Sequence, residues 1–261
     1  MNSPDGVSEA RPYNPNQCTQ PKPGAKPPAR AFLVSRPGAS TYHGFTECTA
    51  PGLHARAFRL FCKWAAPNSR VLDLGSGFGA WTMRLHDASY QVTACDLSAR
   101  PGPSIPFAFH KVDLNADFSE SCGGNAYDAV TFIEVIEHLE NPRHCFRQIS
   151  ALLREGGIVL LSTPNASGLY SRLRFFFSGQ MAMFNDRAYS GSGHITPLTA
   201  WQLEKIFTEN GFTVLERRFH DAPFFPPRSL GDIAKIVAWA VFRPLMFGTV
   251  GGQCIIYILK K

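Results

Sequence analysis

Between residues 53 and 64 apolar side chains recur at helical spacing, at Leu53, Ala57, Leu60, Phe61 and Trp64, and Pro67 stops the pattern. The period then shortens. "RVLDLG" is a compact apolar run that predicts a buried strand, and "GAWTMRLHDAS" opens a helix directly from a glycine turn. "YQVTACDLS" and "FAFHKVDLN" predict a second and a third strand, each ending in an acid, and "YDAVTFIEV" predicts a fourth. "NPRHCFRQISALLREGG" reads as a helix capped by Asn141, with Pro142 at its first position and Gly156 at its exit. "GIVLLSTPN" supplies a fifth strand. "LTAWQLEKIFTENG" is a helix with a capping box from Thr199 to Gln202 and Gly211 at its end. "FTVLERRF" and "CIIYILKK" give two last strands.

Strands that alternate with helices build a parallel sheet covered on both faces. The last two strands are joined differently, and one of them is expected to run antiparallel at the sheet edge. Residues 1–30 are rich in Pro, Ser, Asn and Gln and poor in large apolar groups, so they are expected to be disordered. Residues 31–261 then form a single domain with insertions at 166–195 and 222–250.

Composition narrows the picture only a little. With 44% hydrophobic and 18% charged residues in 261, the chain can bury a substantial core. The net charge of +6 suits an anionic partner or a membrane surface without choosing between them. Seven cysteines with no CxxC pair read as free thiols in a reducing compartment. The N-terminus lacks the apolar segment of a signal peptide, and no stretch reaches the roughly 18 apolar residues that span a bilayer. A cytoplasmic protein, free or membrane-associated, is the expectation.

The candidate chemistry begins at "VLDLGSGFGAW", residues 71–81. A glycine turn between strand and helix brings a ligand close to the backbone at a helix N-terminus. Gly75, Gly77 and Ala80 fit the loose dinucleotide pattern, which alone says little. Asp73 says more. A pyrophosphate beside it would be repelled by about 4 kcal/mol at about 4 Å and an effective dielectric of about 20. A nucleoside that carries positive charge there would be attracted. Asp96 follows about 20 residues after the glycines, at the usual distance for a carboxylate that holds ribose hydroxyls. Asp113 ends the third strand, where it can accept from an adenine amino group. Each acid alone can be a turn or cap residue; three at successive strand ends are harder to explain that way.

This constellation resembles the class I S-adenosylmethionine-dependent methyltransferases over roughly residues 50–220. "VLDLGSGFGAW", "VTACDLS", "FHKVDLN", "YDAVTFIEVIEHLENP" and "LREGGIVLLSTPN" carry the resemblance. It implies a Rossmann-like, doubly wound α/β fold with seven strands in the order 3-2-1-4-5-7-6, the last antiparallel. It also implies S-adenosylmethionine as cofactor. Asp73, Gly75, Gly77 and Gly79 would hold the methionine end, and Asp96 the ribose. Asp113 would hold the adenine, with Leu97 and Leu114 beside the two acids. Glu134 would line the methionine or acceptor side.

"IEVIEHLEN" places Glu134, Glu137 and His138 just beyond the fourth strand. In a helical turn Glu134 and His138 would share a face at i, i+4. His138 can act as a general base toward a hydroxyl, with Glu137 orienting it. Alternatively the carboxylates and imidazole bind a divalent cation that acidifies the hydroxyl. In a third reading Glu134 faces the cofactor while Glu137 and His138 are polar residues closing a helix. The motif resembles the ubiquinone-pathway O-methyltransferases. It also resembles the small-RNA 3′-end 2′-O-methyltransferases, which use Glu, Glu, His and a later His around a metal. His194 in "GSGHITPLT" is the candidate later residue, as a further catalytic group or as a loop histidine. Its surroundings do not match the RNA enzymes, and no separate RNA-binding module is visible, which argues against a nucleic-acid acceptor. No residue is assigned as a fixed metal ligand.

The insertions are expected to choose the acceptor. In 166–195 arginines alternate with aromatics and methionines, as in a lid over an apolar acceptor or a helix packed on the sheet. "STYHGFTECTAPGLH" ahead of the first helix can belong to the same lid. In 222–250 Ile233, Ile236, Val237, Ala240 and Val241 form one helical stripe, and Trp239 and Phe242 lie on the other side near Lys235. Two apolar faces with flanking base suggest peripheral membrane contact or a dimer. "STPNASGLYSRLRFFFSG" and "GHITPLTAWQLEKIF" also look like methyltransferases of bacterial cell-surface glycan and lipid pathways. The expected function is methyl transfer to oxygen of a small-molecule, glycan or lipid-linked acceptor. An RNA 2′-O-methyltransferase with a Glu/Glu/His metal site, an NAD-dependent oxidoreductase and a non-catalytic adaptor that binds the cofactor are the alternatives. Oligomeric state is not legible.

Overall fold

The computed structural model of the chain describes residues 40–97, 105–123, 127–220 and 230–261. The expected disorder of residues 1–30 falls outside this range. A short hairpin, β1 (Thr41–Tyr42) and β2 (Phe45–Thr46), leads into α1 (Leu53–Trp64). Then come β3 (Arg70–Leu74), α2 (Ala80–Asp87), β4 (Gln91–Asp96), β5 (Ala108–Lys111) and β6 (Tyr127–Ile133). A single 3₁₀ turn (Ile136–His138) separates β6 from α3 (Pro142–Leu152) and β7 (Leu153–Pro164). After β7 follow α4 (Leu169–Ser178), α5 (Asp186–Ser192), α6 (Ala200–Glu209) and β8 (Thr213–His220). The chain closes with α7 (Leu230–Phe242) and β9 (Cys254–Lys260).

Seven strands make one sheet in the order β5-β4-β3-β6-β7-β9-β8. Counted from β3, this is the expected 3-2-1-4-5-7-6. Only β9 runs antiparallel to its neighbours, and it lies one place in from the edge, which β8 occupies.

The period of two along the strands sorts side chains between two apolar layers. On β3, Leu72 and Leu74 pack with Phe146 and Ile149 of α3 and Phe207 of α6. Val71 points the other way, to Phe61 of α1 and Trp81 of α2. On β9, Ile256 and Ile258 share the layer of α1, and Ile255, Tyr257 and Leu259 share that of α3 and α6. Helices on both faces therefore bury the sheet and leave its strand ends to carry chemistry.

Three local expectations shift. The helix after Pro142 stops at Leu152, because Leu153 already pairs with Tyr127. Gly156, at φ 76°, therefore lies within β7, where the register breaks, and not at a helix exit. β5 ends at Lys111, so Asp113 stands two residues past it. In α7 the stripe through Ile233, Val237 and Val241 faces outward, each residue being about half exposed.

Candidate functional site

Gly75, Gly77 and Gly79 all sit at positive φ, of 73°, 52° and 90°. At Gly75 a side chain is impossible, since an added Cβ would lie 2.4 Å from Cγ2 of Val135. At Gly77 the same Cβ would meet nothing within 4 Å, so that backbone faces open space. Backbone N–H groups of Gly75 and Ser76 both donate to the Cys95 carbonyl, at 2.8 and 3.0 Å, and lock the turn to β4. Asp96 completes the join, its Oδ2 accepting from Gly77 N at 2.8 Å.

Asp73 is buried beneath this turn. Thr82 of α2 donates to its Oδ2 and Thr131 of β6 to its Oδ1. Burial pushes its carboxyl up to about 7, against the downward pull of the two hydroxyls. Asp73 thus braces the glycine turn by tying the start of α2 to β6. Leu97, 38% exposed, follows Asp96. Val112 N donates to the Asp96 carbonyl at 3.0 Å, which sets Asp113 alongside. Asp113 is exposed, and its Oδ1 accepts from Asn115 N in an Asx turn, while Leu114 is buried.

Val135 joins this half of the site to the next, because it packs on Gly75 and follows Glu134. Glu134 sits at φ 52°, outside the 3₁₀ turn. It and His138 therefore do not share a helical face, contrary to the i, i+4 expectation. Glu134 instead turns to β7 and β9. Ser162 Oγ donates to its Oε1 at 2.8 Å, and Cys254 Sγ lies 3.7 Å from Oε2. Burial, reinforced by Glu137, raises its carboxyl to about 8.

Glu137 is wholly buried. Thr163 Oγ1 donates to its Oε2 at 2.9 Å, whereas its Oε1 has no hydrogen-bond partner. Burial raises this carboxyl to about 8 as well. The Glu137 carbonyl accepts from Ile195 N and Thr196 N, both at 3.0 Å, and that pairing draws His194 across from the α5–α6 loop. The expected contact in which Glu137 orients His138 is absent: His138 Nδ1 lies 3.0 Å from the Gly193 carbonyl instead. His194 Nδ1 lies 2.9 Å from the Met183 carbonyl. A carbonyl only accepts, so each Nδ1 carries the proton and each Nε2 presents a lone pair. Burial lowers both imidazoles, His194 to about 4, so both are neutral near pH 7. Their ring centroids are 4.9 Å apart. One donor atom from each of Glu137, His138 and His194 lies within 4.8 Å of the others.

Ser162, Thr163, Cys254, Thr82 and Thr131 support these groups, and the sequence reading named none of them. Parallel register was the available signal, since Ile133 pairs with Ser162 and so puts Glu134 level with Thr163. The stretch before α1 is fastened and not loose. His54 and Arg84 both reach Glu47 Oε1, at 3.3 and 2.8 Å, and hold that carboxyl down to about 2.

A seven-stranded sheet of this order, with an acid-braced glycine turn at the end of its first long strand, defines a nucleoside-binding α/β class. Within it the family is identified by a methyltransferase-domain family model that matches residues 43–217: the chain belongs to that family. The ubiquinone biosynthesis O-methyltransferase of Xanthomonas campestris pv. campestris (strain B100) is 34% identical over 113 residues, 39% of this chain and 45% of that protein. The chain thus matches under half the length of that relative. Among solved structures, a SAM-dependent methyltransferase from Archaeoglobus fulgidus superposes with a TM-score of 0.58 at 18% identity, over 82% of this chain and 95% of that one. A 1,6-didemethyltoxoflavin-N1-methyltransferase from Burkholderia thailandensis, solved with bound 1,6-didemethyltoxoflavin and S-adenosylhomocysteine, superposes with a TM-score of 0.53 at 16% identity, over 81% and 79%. At these identities the structures speak for the fold alone.

Proposed function

We propose that the chain transfers the methyl group of S-adenosylmethionine to an oxygen of a small-molecule, glycan or lipid-linked acceptor. The observation that carries this reading is the pair of neutral imidazoles, each with its Nδ1 proton on a backbone carbonyl and a lone pair left on Nε2, joined through Val135 to the glycine turn. The residues present fit the cofactor: open space before Gly77, a carboxylate at Asp96 for a diol, and half-exposed Leu97 for a ring face. When bound, S-adenosylmethionine supplies an electrophilic methyl group on a positive sulfur. Asp73 contributes buried carboxylate character behind the turn and keeps α2 in place. As the acceptor oxygen takes the methyl group, its proton passes to Nε2 of His138. Orientation of the two substrates on one sheet edge would supply much of the rate.

A second reading of the same cluster rests on the unpartnered Glu137 Oε1. With the two Nε2 atoms it makes a His₂-carboxylate set suited to a divalent cation, each histidine being oriented by a carbonyl as metal-bound histidines are. Its attraction is chemical, because a base as weak as His194 takes a hydroxyl proton poorly unless the hydroxyl is first acidified.

Calorimetric titration with S-adenosylhomocysteine tests the cofactor. Micromolar binding is expected, weakened by about tenfold or more, or roughly 1.4 kcal/mol, in Asp96→Ala. Binding of NAD and not of the nucleoside would sink the reading. His138→Gln should then keep that affinity but lower kcat by about 10²-fold or more toward hydroxyl acceptors. Titration with Mn²⁺ followed by electron paramagnetic resonance separates the two versions. Binding that is lost in Glu137→Gln supports the cation, and a flat titration leaves His138 as the unaided base.

A further inference from the structure

The two insertions meet in space. α4 packs against α7, and Arg172 of α4 donates from Nε to the Ser167 carbonyl and from Nη1 to the Phe247 carbonyl, at 2.8 and 2.9 Å. Between them lies a surface cavity of about 640 Å³, lined by Leu173, Phe176, Met181, Phe242 and Met246 among others. Around it the apolar surface is uncovered. Phe176 and Phe177 are 79% and 77% exposed, Leu230 86%, Leu245 71% and Phe247 87%. All but three of the exposed large apolar side chains among the described residues lie on segments 166–195 and 230–250; the exceptions are Leu97, Trp201 and Val214. Scattered exposed apolar groups need no explanation, but this concentration does.

Charge decides what covers it. Where side chains are described, the same two segments carry three arginines, Arg172, Arg174 and Arg187, against one acid, Asp186. The whole chain holds 26 basic residues against 20 acidic ones, so these segments share the sign of the chain as a whole. A second copy of the same face would set base against base. An anionic bilayer surface offers both an apolar interior and negative headgroups. α7 has 13 residues, about 20 Å of helix, and no helix among the described residues is long and apolar enough to cross a membrane. It is therefore suited to lying in the interface plane.

We propose that the α4–α7 face docks on the surface of an anionic phospholipid membrane, with the phenylalanines of α4 and the outward stripe of α7 in the headgroup–acyl boundary. The face is tied to the chemistry. Ser171 of α4 accepts from Ala182 N at 3.1 Å, and the next residue, Met183, holds His194 through its carbonyl. The consequence for the reaction rests on the transferase reading: the acceptor is a membrane lipid whose hydroxyl headgroup reaches His138 and His194 while its chain occupies the cavity.

Vesicle flotation tests the docking. Protein is mixed with phosphatidylcholine vesicles, with and without phosphatidylglycerol, and compared with F176D/F177D. These two side chains are solvent-facing and meet edge to face, so the variant should fold. Calorimetric binding of S-adenosylhomocysteine, measured on both proteins, checks this. The expected result is flotation that requires phosphatidylglycerol, weakened by about tenfold or more in the variant. Wild type that stays at the bottom with every vesicle overturns the proposal, as does a variant that floats equally well. Self-association without lipid that disappears in the variant also overturns it, in favour of a second copy. Failure of the nucleoside to bind wild type would refute the transferase reading and leave the docking result standing.

Discussion

Glu134 holds a backbone φ of 52°, a conformation that costs a non-glycine residue on the order of 1–3 kcal/mol. It stays there because Ser162 takes both its N–H and its carboxylate. None of this was legible in "IEVIEHLEN", where the spacing suggests one helical face. Spacing says which residues are near, but not that one of them turns left-handed between them. The orienting partners of the histidines were hidden for a similar reason: Gly193 and Met183 act through carbonyls, which every residue has. Asp73 was readable as an acid before a glycine turn, but its two threonine partners depended on tertiary contacts. Its folded carboxyl titrates at about 7 against about 3.9 for an ordinary aspartate. The folded state thus retains a proton that the unfolded chain has released. That contribution to stability is present below about pH 4 and is lost as pH rises toward about 7. Thermal melts from about pH 5 to about pH 8 should therefore show wild type losing stability relative to Asp73→Asn. Parallel curves for the two proteins would mean that Asp73 is ionised throughout.

At the scale of elements, the parts that local chemistry specifies were legible. Thr199 caps α6 in a full capping box with Gln202, as four letters of sequence indicated. Thr199→Ala should destabilise the fold by about 1 kcal/mol, read as a lower denaturation midpoint with an unchanged slope. An unchanged midpoint would mean that packing of Leu203, Ile206 and Phe207 holds the helix without its cap. Asn141 caps α3 in the same legible way. The end of α3 was not legible, because β6 competes for Leu153 and only the assembled sheet decides that contest. Burial of α7 was not legible either. A helix with apolar residues on two sides does not say which side is covered, and Ile233, Val237 and Val241 lie on the open one.

At the scale of the molecule, strand order was legible from the alternation of strands and helices together with the family resemblance. The division of labour follows from it. β3 and β4, which hold Asp73 and Asp96, and β6, which Glu134 follows, lie in the middle and on one side of the sheet, while the insertions that form the exposed face flank β8 and follow β7. If the face docks as proposed, salt should weaken vesicle binding, because attraction between base and anionic headgroups is screened over a Debye length of about 8 Å. Binding that ignores salt would point to apolar insertion without charge attraction.

The place of β9 has a consequence for how the molecule opens. β8 has no sheet partner except β9, and β9 reaches the remaining strands only through β7. The two strands therefore open together, and because Ile255, Ile256, Tyr257, Ile258 and Leu259 are buried in both apolar layers, their opening belongs to the most costly motions of the fold. Detachment would carry Cys254 away from Glu134 and strip the outer cover from Ser162 and Thr163, which pair with Ile256 and Ile255. Amide exchange along β9 would then report the lifetime of the armed site, and competence for chemistry should last as long as the fold itself.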